Sequence, residues 1–411
     1  MLIQTNSSRR KFLQCSMRGV SAIGVGAALP QCFTQAASAS TLGERILVVV
    51  QMSGGNDGLN TVIPYADDDY RAARPKLAIP VSGVLKCDDE TGFHPSMTGV
   101  HGLYQANKFT VVRSVGYDHP NRSHFESMDI WHTCRRKLQP RPDGWLGRFL
   151  DKQPVAAGGD VPALHLGHEQ QPFAVSSTKV RVPTVKELAE FQLRGKDKQS
   201  LRKLLEESPS TAADVGSNDL LSFLESSTSS AIAASKRVTE AAQSYRSEIK
   251  YPDTELGKKL RVVAQLIDAG LTTRVYYVQH DGFDTHAQQT QTHTVLLRQW
   301  SDAVSALVLD LADHHHDERV CVMTFSEFGR RVAENASEGT DHGAAGPMFL
   351  CGGGVKPGLV GKRPNLTDLQ EGDLKHEYDF RQVYASVLEK WLGTDSTAIL
   401  GDKYDPLPLF S

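Results

Sequence analysis

The stretch Ile46-Leu-Val-Val-Val-Gln-Met-Ser-Gly-Gly-Asn-Asp-Gly58 decides the fold. Ile46 to Met52 is a β-branched, apolar run that reads as a strand, and Ser53 to Gly58 is a glycine-rich turn at its carboxyl end. Three later segments repeat the pattern: Phe109 to Val115 leads into Asn121-Arg122-Ser123-His124, Arg274 to Gln279 into Gly282-Phe283-Asp284-Thr285-His286, and Arg319 to Phe325 into Ser326-Glu327-Phe328-Gly329-Arg330. Asp341-His342 follows shortly after the last. Strand-like runs alternating with helical patterns predict an α/β fold with a largely parallel sheet covered on both faces. In such a sheet the carboxyl ends of the strands share one edge, where residues distant in sequence can converge on a ligand. Acidic, histidine and serine residues recurring at those ends point to a metal-dependent active site.

Helical spacing is clearest from Thr290 to Ala312, with shorter helices expected over Ser123 to Arg135, Leu256 to Ala269 and Phe380 to Leu392. Residues from about 152 to 250 differ in composition, with a Pro- and Gln-containing stretch followed by a Ser-, Ala- and charge-rich segment. They are expected to form an inserted helical cap over the active-site edge.

The first 39 residues stand apart. Ser8-Arg9-Arg10-Lys11-Phe12-Leu13 has the twin-arginine form, an apolar small-residue stretch runs from Gly19 to Leu29, and Ala37-Ser38-Ala39 offers a cleavage site. The apolar stretch falls short of the roughly 20 residues a membrane span needs. The expectation is therefore a signal peptide over 1–39, a mature domain over 40–411, and export by the twin-arginine machinery to the periplasm or exterior. No stable membrane span is expected in the mature chain. Losing four basic residues with the leader shifts the formal charge from −3 to −7, which argues against a general nucleic-acid binder. Of the six cysteines, Cys87, Cys134, Cys321 and Cys351 lie in the mature chain, without Cys-x-x-Cys spacing. An oxidising compartment would permit a Cys87–Cys134 disulfide, which the sequence does not itself indicate.

Each chemical motif has a plainer alternative. The glycines of 54–58 let the backbone turn sharply beside a ligand, and Asp57 offers a carboxylate to a metal; the alternative is an ordinary Asx turn. Ser123 stands where a helix begins and could meet an anionic phosphoryl group, or could form a capping box with Glu126. Asp284 and His286 suit zinc or manganese better than calcium. Glu327 adds a carboxylate, Arg330 a possible bidentate phosphate clamp, and Asp341 and His342 one or two further ligands. An ion pair is the alternative for Glu327 and Arg330, and a solvated turn for Asp341-His342. His314-His315-His316 reads as a solvated helix end. Two carboxylates about 4 Å apart repel by roughly 4 kcal/mol at an effective dielectric near 20, so their convergence calls for cations.

These motifs together resemble domain-of-unknown-function family 1501. The resemblance rests on Leu47 to Asn60, Ser123-His124-Phe125, Gly282 to His286, Thr324 to Arg330 and Gly339 to Gly343, and it covers essentially the whole mature chain. Members commonly carry twin-arginine signals and are placed in the alkaline phosphatase and sulfatase superfamily. The resemblance implies a three-layer α/β/α sandwich with a two-metal site. It implies Ser123 as nucleophile, Asn56 or Arg330 orienting the transferred group, and Asp57, Asp284, His286, Glu327 and His342 as ligands. The implied cofactors are two divalent ions, zinc or manganese before magnesium or calcium, and the implied substrate is a phosphate or related anionic ester. The chain departs from the superfamily in having Glu327-Phe328 where active phosphatases have Asp-His, and Asp284-x-His286 in place of a wider Asp-x-x-x-His. A sulfatase Cys/Ser-x-Pro-x-Arg pattern is absent, which disfavours formylglycine chemistry. The competing expectation is an exported binding or structural protein on a degenerate phosphatase-like fold.

Overall fold

The computed structural model describes residues 45–153, 160–185 and 245–411. The expected signal segment, and residues 186–244 of the expected cap, lie outside the described residues.

Nine strands form the main sheet: β1 (Ile46–Ser53), β2 (Phe109–Gly116), β3 (Ala163–Leu166), β4 (Thr184–Val185), β5 (Val275–Asp281), β6 (Val320–Ser326), β7 (Gly346–Gly352), β8 (Gly358–Val360) and β9 (Tyr378–Asp379). Their order is β8-β2-β7-β6-β1-β5-β3-β4, with β9 extending the β8 edge along β2. All pairings are parallel except those of β7, which runs antiparallel to both β2 and β6. This is the mostly parallel sheet that the alternating pattern predicts.

Side chains alternate across β1, and each set finds its own core. Ile46, Val48, Val50 and Met52 pack into one apolar cluster with residues of helices α1 (Thr98–Gln105), α4 (Glu255–Asp268) and α5 (Gln289–Asp313). Leu47 and Val49 face the opposite cluster, filled from α2 (His124–Thr133), α3 (Trp145–Leu150) and α6 (Phe380–Ser386). The sheet is thus the middle of three layers. Burial on both faces explains why its central strands are unbroken apolar runs.

Register sets the site. Ser53 of β1 pairs with Asp281 of β5, and Met52 pairs with Ser326 of β6, so three central strands end level. The turns after them emerge side by side. Because β7 is antiparallel, the segment 341–345 enters the sheet at that same edge and brings His342 with it.

Two expectations change. Within the range expected to form the cap, about 152–250, Ala163–Leu166 and Thr184–Val185 are parallel strands that continue the main sheet beyond β5. Their short lengths hide them among loop-like residues. Cys87, Cys134, Cys321 and Cys351 are all free thiols, so Cys87 and Cys134 do not pair.

Candidate metal centre

The turn after β1 approaches its neighbours so closely that side chains are excluded. At Gly54 (φ +116°) an added Cβ would lie 2.4 Å from the Asp284 nitrogen, and at Gly55 (φ +75°) 2.3 Å from the Phe328 ring. Only glycine accommodates both the backbone angle and the contact. The Gly54 N–H donates to Glu327 Oε1 at 2.8 Å, tying the first turn to the third.

Arg330 ties all of them together. Its guanidinium is 2 % exposed and donates to the carbonyls of Gly54, Gly55, Phe283 and Thr340 and to Asp284 Oδ1, the last at 2.7 Å. A planar donor fork with this many backbone acceptors fixes three loops relative to one another. Its donors are committed inside the protein, so the expected phosphate clamp becomes a brace for the Asp284 carboxylate.

Around Asp284 Oδ1 stand three imidazoles. His286 Nε2 lies at 3.0 Å, His342 Nε2 at 3.1 Å and His124 Nε2 at 3.4 Å. The Nε2 atoms of His286 and His342 are 2.8 Å apart. Each ring is held from behind by an oxygen acceptor. His124 Nδ1 donates to Glu327 Oε1 at 2.9 Å, His342 Nδ1 donates to the Arg122 carbonyl at 2.7 Å, and His286 Nδ1 faces Asp341 Oδ1 at 3.5 Å. An acceptor at Nδ1 places the proton there and leaves the Nε2 lone pair directed at the shared centre.

This donor set fits a metal. His124 Nε2 is buried without a hydrogen-bond partner, and the His286 and His342 nitrogens meet where at most one can carry the intervening proton. Ligand atoms about 2.1 Å from a tetrahedral ion stand roughly 3.4 Å apart, close to the separations around Asp284 Oδ1. The ligand atoms of His124, Asp284 and His342 all lie within 4.8 Å of one another, the one such group among the described residues. His286 joins it through Asp284 and His342. Nitrogen-rich ligation with one carboxylate suits zinc or manganese better than calcium or magnesium.

Electrostatics agree with the geometry. Burial alone would raise the pKa of Asp284, but its bonds from Arg330 and His342 hold it down at about 2. The Glu327 carboxylate raises the His124 pKa, whereas desolvation lowers that of His342. Asp341 is kept below its ordinary value by Asn335, with His286 contributing. The cluster remains accessible: the side chains of Asp284, His286, His124 and His342 are 48, 43, 30 and 21 % exposed.

Three other expected site residues stand apart from the cluster. Asp57 is fully buried; its Oδ2 accepts from Arg74 at 2.6 Å and from the Gln289 amide, and Oδ1 accepts from the Asn60 N–H at the start of a helical turn, Gly58–Thr61. Burial would raise its pKa, yet Arg74 brings it below the ordinary carboxylate value. Asn56 is 2 % exposed, and its Oδ1 accepts from Thr61 Oγ1 and His293 Nε2, each at 3.0 Å. Glu327 lies behind His124, with Oε2 accepting from Ser326 Oγ at 3.0 Å.

Ser123 sits at the N-cap of α2, next to His124, and is exposed. The capping box is not formed: the Ser123 hydroxyl makes no cap bond, and Glu126 pairs with Arg141 at 2.6 Å. His124 is the member of this cluster not expected from the sequence. Its signal is adjacency to Ser123 at a strand-to-helix turn.

A family model described as a protein of unknown function, DUF1501, matches residues 44–402. The chain belongs to this family. No curated protein matches this DUF1501 chain. Among solved structures it is similar to the sulfatase PsFucS1 from Pseudoalteromonas sp., at 10% identity and a TM-score of 0.41, over 93% of this chain and 77% of that one. It is also similar to a protein in the alkaline phosphatase superfamily from Vibrio parahaemolyticus, at 8% identity and a TM-score of 0.40, over 87% and 69%. A TAB5 alkaline phosphatase mutant with Mg bound in its M3 site matches at 11% identity and a TM-score of 0.34, over 77% and 94%. These overlays run along most of the DUF1501 chain but are too loose to add to what its strands and side chains show directly.

Proposed function

We propose that this DUF1501 protein is a metal-dependent hydrolase of phosphate or related anionic esters, exported by the twin-arginine route. The observation that carries the reading is the convergence of His124, His286 and His342 on Asp284, each ring oriented by an oxygen behind it. The ligand set read here is these four residues around one ion, not the two-ion set expected from the resemblance. A divalent ion held by these four residues would supply Lewis acidity to the anionic group and would favour ionisation of a nearby hydroxyl.

The remaining roles belong to the chain. Ser123, exposed beside His124 and at the amino end of a helix, is the nucleophile of this reading. The amino end of α2 favours the negative charge of the bound group. As the serine oxygen bonds to phosphorus the ester P–O bond breaks, and the serine proton passes through solvent to the departing alcohol oxygen; water then bonds to phosphorus, the serine O–P bond breaks, and a water proton returns to the serine oxygen. Arg330 and Glu327 hold Asp284 and His124 in place and do not touch substrate. Asp57 and Asn56 support the first turn from within.

The test is metal content and turnover measured together. Mature protein prepared without chelator is expected to carry about one zinc or manganese per chain, lost in Asp284→Ala and His124→Ala. Phosphate mono- and diesters and sulfate esters then report turnover, and Ser123→Ala should retain metal but lose it. Absence of metal after resupply would overturn the centre. Bound metal without saturable turnover on any ester would instead favour a non-catalytic binding protein.

A further inference from the structure

A cavity of about 250 Å³ adjoins the metal cluster. Arg122 belongs to both: its side chain lines the cavity, and its carbonyl holds His342 Nδ1 at 2.7 Å. Ser123 and His124 follow it directly in sequence, and Ala344, two residues after His342, lines the cavity as well. One wall is a hairpin, Leu369–Gln370 against Asp373–Leu374, whose turn residues Glu371 and Gly372 both have positive φ, as a type I′ turn requires.

The charges in this cavity are paired. Arg122 donates to Asp373 Oδ2 from Nη2 at 2.6 Å and from Nε at 2.9 Å, and reaches Glu371 at 3.3 Å. Lys375 bonds Asp368 outside the cavity, and His376 stands 3.6 Å from Asp118. Two cationic side chains, Arg122 and Lys375, face three carboxylates, Asp118, Glu371 and Asp373. With Arg122 and Lys375 each paired to a carboxylate and one more carboxylate than cation among the lining residues, the walls disfavour an anion. With Arg122 and Lys375 present, they do not favour a bare cation. Asp373 is 1 % exposed, and its Oδ1 makes no hydrogen bond, with the Arg331 Nε 3.8 Å away, so the wall retains an acceptor whose charge is already offset and which suits a neutral donor.

We propose that this cavity is the subsite for the leaving alcohol of the ester, and that it takes a neutral, polyhydroxylated group of about one sugar ring or cyclic polyol. The volume lies just below the roughly 300 Å³ at which pockets for drug-sized ligands begin, which matches a single ring. Alternating carboxylate, guanidinium and amide groups offer acceptors and donors to successive hydroxyls. The assignment to a leaving group rests on the hydrolase reading; the binding chemistry of the cavity does not.

Isothermal titration of the mature chain, both metal-loaded and chelator-treated, with myo-inositol, D-glucose, ethanolamine and choline separates the two. Saturable binding of at least one neutral polyol in both protein forms is expected, with none for the two ammonium compounds. His376→Trp, which fills the cavity from a partly exposed wall, should weaken that binding tenfold or more. Gln370→Ala, at an exposed position, should weaken it at least threefold in a protein that melts like wild type. The proposal is overturned if neither polyol binds, if the ammonium compounds bind in their place, or if both variants bind as wild type does. Polyol binding without ester turnover would retire the hydrolase reading and leave the neutral-polyol cavity standing.

Discussion

Asp57 and Asp284 look alike in sequence and differ completely in the fold. Each follows a central parallel strand, each has a glycine within three residues before it, and each reads as a metal ligand. Asp57 ends fully buried against Arg74 and Gln289. Asp284 ends half exposed among three imidazoles. What separates them is the cation that arrives from elsewhere in the chain. Arg74, at the end of a short helix over Asp68–Ala73, is buried and fits its Nη1 between Asp57 and Asn60, neutralising that carboxylate inside the protein. At Asp284 the arginine is Arg330, committed mainly to carbonyls, and the carboxylate stays open to a further cation. A carboxylate at a strand end is thus open to a further cation only where the fold leaves its charge incompletely met.

The largest effect should come from breaking the buried pair. Arg74→Met leaves Asp57 as an uncompensated charge in the interior, a loss of about 3–5 kcal/mol. Urea unfolding should show it as a lower midpoint, while metal content in the folded fraction stays at the wild-type value. Loss of metal with unchanged stability would instead return Asp57 to the ligand set. Next in size is Glu327→Gln, which keeps volume but weakens the acceptor behind His124. Supporting groups of this kind typically contribute 10–100-fold in metal affinity. Zinc competition titration should find a loss in that range, and no loss would place Glu327 outside the centre.

The acid limb sharpens the same contrast. His293 donates to Asn56 behind the first turn, fully buried, and desolvation lowers its pKa to about 3. Its unfolded value is near 6.5, so between these limits the unfolded chain binds the extra proton and stability falls as pH drops. The contribution is complete above about pH 6.5 and fades on acidification at up to roughly 1.4 kcal/mol per pH unit. His293→Gln should therefore flatten the stability profile between pH 6 and about 4 by nearly that slope. Asp284, held at about 2, can add only to losses below its ordinary carboxylate range. An unchanged slope in His293→Gln would mean that the ring is not neutral in the native protein.

The central strands were legible because burial on both faces demands uninterrupted apolar runs, and the helix over Gln289–Asp313 because its apolar spacing is long and regular. The convergence of Asp284, His286 and His342 was legible because residue type and strand-end position agree. Arg74 and Gln289 were not, since nothing local marks either as the partner of Asp57. Glu327 is expected as a ligand because sequence shows a carboxylate at the right edge but not that its Oε1 is met by the His124 imidazole. The strands Ala163–Leu166 and Thr184–Val185 escaped because short edge strands carry too few residues for a period to show.

Ser123 offers the smallest stability effect and the sharpest choice between two readings of one residue. A serine that caps its helix contributes about 1 kcal/mol, lost on substitution by alanine. In the structure the hydroxyl makes no cap bond, and the first turn of α2 is held instead by Tyr117 Oη and the Glu327 carbonyl meeting Ser127 Oγ, at 2.9 and 2.6 Å. Ser123→Ala should then change unfolding free energy by no more than about 0.5 kcal/mol, the range of an ordinary surface substitution. Ser127→Ala, by contrast, removes a buried hydroxyl that links two neighbours and should cost more. If Ser123→Ala matches Ser127→Ala in stability, the hydroxyl is structural after all. If it leaves stability and metal intact, the serine is free for chemistry, and Ser123 would differ from Ser127 as Asp284 differs from Asp57, a polar group left unmatched by the fold.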